Sequence, residues 1–119
     1  MILDFSLPFI MPKMTDAVVH ALVAAEGGKV AVGQGLMDLM VDLSAAYAHD
    51  CPPISYFRIV SREGVWLRKL FVAEGERPSI GEVLARFSTT ADEPLDRPAA
   101  RQLRVMVAGV TRSSHGSLW

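Results

Sequence analysis

The chain has 119 residues, half of them hydrophobic and about a fifth charged, a size and balance that suit one packed domain and exclude a disordered polymer. Its net charge of −1 supplies no field to gather nucleic acid or an anionic membrane, so neither is an expected partner. The single cysteine, Cys51, excludes an internal disulfide and points to a reducing compartment, the cytoplasm.

The opening, MILDFSLPFIMPK, is apolar but has no basic leading region and carries Asp4 inside the apolar run, so it reads poorly as a signal peptide. No apolar run approaches the length of a membrane span. The runs AVVHALVA (17–24), SYFRIV (55–60) and VWLRKLFV (65–72) are short, rich in β-branched or aromatic residues and bounded by turn signals, which predicts strands. In VWLRKLFV, alternation puts Trp66, Arg68 and Leu70 on one face and Leu67, Lys69 and Phe71 on the other; neither face is clean, which predicts a bulge.

The chain resembles itself at an offset of 48 residues. LVAAEGGKVAVGQGLMDL (22–39) and LFVAEGERPSIGEVLARF (70–87) share Leu22/Leu70, Ala25/Ala73, Glu26/Glu74, Gly27/Gly75, Gly33/Gly81 and Leu36/Leu84. Gly27 and Gly75 follow an acidic residue at the end of an apolar run, where a turn with positive φ is easiest for glycine, and Gly33 and Gly81 repeat that demand six residues later. Two similar β-units suggest two small sheets related by a pseudo-two-fold axis and packed face to face; a small β-barrel with repeated turns is the other reading of the same pattern. The tail begins with the polar STTADEP (88–94), which reads as a linker. LDRPAARQLRVMVAGV (95–110) suits either a short helix, with Asp96 near its cap, Pro98 early and Gly109 at its end, or a strand through Val105, Val107 and Val110 added to a sheet edge. TRSSHGSLW (111–119) reads as a disordered end unless Trp119 finds a pocket. The expected organisation is a domain over 1–87 and a linker and tail over 88–119.

MPKM (11–14), VVHALVAAEGGKVAVGQGL (18–36) and LFVAEGERPSIGEVLARF (70–87) together resemble the lipoyl/biotinyl carrier domains, above all the lipoyl domains of acyltransferase subunits in 2-oxo acid dehydrogenase complexes. The resemblance covers about residues 7–87. It implies an all-β barrel-sandwich hybrid, a flattened barrel of two small sheets with quasi-two-fold symmetry, in which Met-Pro-Lys lies in the opening strand. In that family a hairpin between the halves presents Asp-Lys-Ala, and the lysine carries the lipoyl group. On the residues here, Asp42 matches the aspartate, Leu43 the lysine and Ser44 the alanine. Leucine has no nucleophile, and Lys13, Lys29 and Lys69 lie elsewhere in the pattern, so the resemblance implies a degenerate member without lipoyl, biotinyl or other cofactor. The first hairpin, counted from Met-Pro-Lys, is also short for the family, and SAAYAHDCPP (44–53) lengthens the tip.

The lengthened tip holds the candidate site residues Tyr47, His49, Asp50 and Cys51, with Tyr56 just beyond it. His49 and Cys51 are too few for a zinc site, which needs four ligands. Cys51 as a covalent acyl carrier, with His49 lowering its pKa, is the alternative function. Docking of a protein partner uses the rigid amphipathic area of Tyr47 and Tyr56 and the stiffness of Pro52-Pro53; the same tyrosines also suit packing on the domain's own surface. No catalytic constellation is found, so the expected role is a binding or assembly module for an enzyme of 2-oxo acid dehydrogenase or related biosynthetic type. Pairing of strand edges into a homo-oligomer is a further option.

Overall fold

The structure is a computed structural model and describes residues 1–43 and 54–110. Among the described residues nine strands form two sheets: β1 (Ile2–Ser6), β2 (Val18–Leu22), β3 (Lys29–Val30), β4 (Gly35–Asp42), β5 (Ile54–Ser61), β6 (Val65–Leu70), β7 (Val83–Ser88), β8 (Arg101–Gln102) and β9 (Val105–Val110). One sheet has the order β3-β6-β7-β1-β8 and the other β2-β4-β5-β9. The sheets stay separate, so the architecture is a flattened two-sheet sandwich rather than a closed barrel. Among the described residues there is no helix. Among these residues no helix is therefore long and apolar enough to cross a membrane.

The internal repeat is expressed as reciprocal hydrogen bonding between the halves. Gly27 donates its N–H to the Leu67 carbonyl at 2.7 Å, and Gly75 donates to the Val19 carbonyl at 2.7 Å. The Leu70 N–H donates to the Glu26 carboxylate at 2.8 Å, and the Leu22 N–H to the Glu74 carboxylate at 2.9 Å. Each turn thus satisfies donors of the other half. Gly27 and Gly75 take φ of +88° and +92°, a region costly for any residue with a Cβ. The predicted bulge in β6 is present at Arg68, between Leu67 and Lys69, and its repeat mate is a bulge at His20, between Val19 and Ala21.

The core lies between the sheets. Leu3, Phe5, Val19, Leu36, Met37, Leu39, Ile59, Val65, Leu67, Leu84 and Phe87 are buried, drawn from β1, β2, β4, β5, β6 and β7. On β4 the inward series is Met37, Leu39 and Val41, as a period of two requires.

One placement differs from the sequence reading, and one alternative it left open is decided. Met11-Pro12-Lys13 is not in the opening strand: β1 is Ile2–Ser6, and the three residues lie in the connection to β2. That connection runs from residue 7 to residue 17 and joins strands of different sheets. The apolar alternation of ILDFS, with its backbone paired to β7 from Ile2↔Ser88 to Ser6↔Val83, forms the strand instead. The tail forms no helix over 95–110: β8 pairs parallel with β1, β9 pairs antiparallel with β5, and Leu103 is buried in the core. Three arginines fasten it. Arg68 donates to the Glu93 carbonyl at 2.7 Å, Arg86 to the carbonyls of Leu95 and Arg97, and Arg101 makes a two-pronged pair with Glu63 at 2.7 and 2.8 Å.

Gly75→Ala should lower the free energy of unfolding by about 1–2 kcal/mol through the left-handed backbone. Gly64→Ala, at a position without positive φ and with open space for a Cβ, should change it by less than about 0.5 kcal/mol; urea titration of both variants checks the contrast. The Arg101 guanidinium, and the Arg104 backbone N–H beside it, hold the Glu63 carboxyl down to about 2, outweighing the opposing effect of burial. A depressed carboxylate contributes stability that is fully present above its unfolded value near 4.5 and is lost as pH falls toward 2. Glu63→Gln should therefore lower the urea midpoint at pH 7, and the gap to the parent should close progressively between pH 4.5 and about 2.

Candidate docking face

The repeat relates β4 to β7 and β5 to β1, and it places one ion pair on each sheet with the charges exchanged. On the four-stranded sheet Asp38 faces Arg58 in register, with two bonds of 2.7 and 2.9 Å. On the five-stranded sheet Asp4 faces Arg86, with two bonds of 2.8 and 3.1 Å. Both acids are buried, and each arginine is held still more firmly protonated by its carboxylate.

The two pairs differ in what covers them. Arg86 reaches the carbonyls of Leu95 and Arg97, so the tail lies across the outer face of its sheet, and the Arg86 side chain is 23% exposed. Arg58 bonds Asp38 and no such segment among the described residues, and its side chain is 43% exposed. Around it, strand alternation sets Met40 and Asp42 on β4 and Ile54 and Tyr56 on β5 on the same outer face. Tyr56 is half-buried, and its ring meets His20 edge to face at a centroid distance of 5.0 Å. The bulge at His20 carries that ring onto this face.

Of the site residues read from the sequence, Tyr56 stands on this face, whereas Tyr47, His49, Asp50 and Cys51 lie outside the described residues. Leu43 continues the inward series of β4 and is only 6% exposed, packed in the core cluster. Lys13 lies in the β1–β2 connection, Lys29 on β3 over the Trp66 ring at 5.9 Å, and Lys69 on β6 over the Phe71 ring at 5.4 Å. Among the described residues no group of three or more His, Cys, Asp or Glu is placed to hold a metal ion. Sequence reasoning passed over Asp38, Arg58 and His20 as parts of this face. The available signal was an acid embedded in an apolar run, in LMDLM and again in ILDFS, which a strand tolerates only where a cation faces it.

Leu43→Ala should cost about 2 kcal/mol of unfolding free energy, the value for truncating a buried leucine at the rim of a core; an exposed hairpin-tip residue would cost less than about 0.5 kcal/mol. Chemical denaturation with fluorescence of the two tryptophans reads the difference.

No family model matches the sequence, and neither a curated protein nor a solved structure matches it.

Proposed function

We propose that this chain is a lipoyl-like module without an acyl-carrying lysine, which docks onto an enzyme of 2-oxo acid dehydrogenase or related biosynthetic type. The observation that carries the reading is Leu43. A carrier needs a primary amine on a long stem, free to swing between active sites. At the position that the resemblance assigns to that amine stands a leucine, directly after β4, that is buried in the core.

The docking surface on this reading is the outer face around Asp38 and Arg58 together with the adjoining connection 44–53. Its supporting feature is the unequal cover of the two equivalent faces. The tail spreads over the Asp4–Arg86 face, and a partner protein takes the corresponding place over Asp38–Arg58. A half-buried tyrosine, a histidine ring and one exposed arginine head make the mixed aromatic and charged surface typical of binding anchors.

Protein isolated from its native host should show an unmodified intact mass. Calorimetric titration against a purified 2-oxo acid decarboxylase component should give saturable binding that a lipoyl domain competes away, and Tyr56→Ala should weaken it about tenfold. Absence of binding to any such component sinks the docking reading. A mass increment on Cys51 replaces it with the covalent-carrier reading, and an increment on a lysine means that Leu43 is not the attachment position.

A further inference from the structure

The two sheets present four edges, and three of them are blunted. The β2 edge is occupied by the second Glu-Gly turn and the segment after it: Ala17 donates to Pro78, Val19 to Glu76, Gly75 to Val19 and Ile80 to Thr15. The β3 and β8 edges are two residues long. The fourth edge is β9, six residues with β5 on one side and no described strand on the other.

The hydrogen-bonding parity of β9 follows from two observations. Arg62 donates to the Arg104 carbonyl at 3.0 Å, so alternate residues Met106, Ala108 and Val110 turn their backbone groups toward β5. Ser61, opposite Val105, instead exchanges bonds with Gly33 and Gln34 on its other side. The N–H and C=O groups of Val105, Val107 and Gly109 therefore point away from the sheet. From Val105 to Val110 there is no charge and no proline, the usual devices that keep such an edge single. Met106 and Val107 are 52% and 37% exposed.

From this geometry we propose that β9 pairs antiparallel with β9 of a second copy, about a two-fold axis through Val107. The outward set Val105, Val107 and Gly109 maps onto itself under that operation: Val107 faces Val107 of the other copy, and Val105 faces Gly109. All the outward donors of the set then meet outward acceptors. Side chains agree with the register. Gly109 leaves open space where a Cβ would meet nothing within 4 Å, which receives the valine opposite. Arg104 falls opposite Val110 rather than opposite another arginine, so the two cations do not face each other. The four-stranded sheets of the two copies become one continuous sheet, with the exposed Val107 side chains covering each other. A contact of one strand against one strand is small, so the dimer is reversible and concentration-dependent. The proposal rests on the fold and is independent of the docking reading.

Sedimentation equilibrium of the full chain from micromolar to millimolar concentration should show a shift from 13.0 kDa toward twice that mass. Val107→Lys and Val107→Glu should each remain monomeric, since like charges would then face each other across the axis, and an equimolar mixture of the two should dimerise. Val107→Pro removes an outward donor while sparing the ladder to β5, and should weaken the dimer at least tenfold with the far-ultraviolet circular dichroism retained. A monomer at every concentration overturns the proposal, as does a dimer that Val107→Pro leaves intact or a lysine/glutamate mixture that stays monomeric.

Discussion

Neither half of this chain can satisfy its own strand ends. The Glu26 carboxylate accepts from Leu70 and the Glu74 carboxylate from Leu22, while Gly27 and Gly75 reach the carbonyls of Leu67 and Val19. Each half therefore supplies the acceptors and donors that the other lacks, and a backbone group left without them would carry a desolvation cost of about 1–3 kcal/mol if buried. The core comes from the same clasp. With the turns interlocked, β2 and β6 are fixed in register, and their inward side chains, Val19 and Leu67 among them, meet those of β4 and β7. Bulges at His20 and Arg68 fall at equivalent places in the two halves, so the clasp also sets where each strand changes face.

Within that shared frame the halves diverge in what their outer faces do. Asp4–Arg86 and Asp38–Arg58 are geometrically equivalent pairs with their charges exchanged. An exchange of this kind conserves the cross-strand attraction while changing which strand presents the long cationic side chain. On β7 the guanidinium has carbonyls of the tail within reach and becomes a fastening point for residues 95–97. On β5 it shares its face with Tyr56, whose ring meets His20. One outer face is thus covered by the chain's own tail, and the other stays open among the described residues.

Much of this was legible in the sequence where a residue type is demanded by backbone geometry. The repeated glycines announced the turns, and their positive φ values are the physical reason. The unclean alternation of VWLRKLFV announced a bulge, because a strand cannot bury Leu67 and pack Leu70 without one extra residue between them. Placement that depends on pairing was harder to read. Met-Pro-Lys looked like a strand opening, yet ILDFS is the segment with a partner, β7, waiting at the far end of the chain. Residues 95–110 carried both a helix pattern and a strand pattern, and the free edges of β1 and β5 decided between them. The open face escaped notice for the same reason: Asp38, Arg58, His20 and Tyr56 are scattered along the chain and are joined only by the register of three strands.

The pairing of β1 with β7 has a bearing on how the molecule assembles in time. The β4 and β5 strands are neighbours along the chain, whereas Ile2 pairs with Ser88 far from it in sequence. Loop closure of that span is entropically costly, and topologies rich in such distant pairings fold slowly. During synthesis β1 emerges well before β7 and waits for it, leaving an apolar segment, ILDF, without its neighbour while β2, β4 and β5 are already able to pair. The polar and charged stretch at 88–97 follows directly behind β7 and fastens through Arg68 and Arg86 as soon as the sheet closes. It acts as a latch on that closure, so that β1 is sealed in by the residues that directly follow β7.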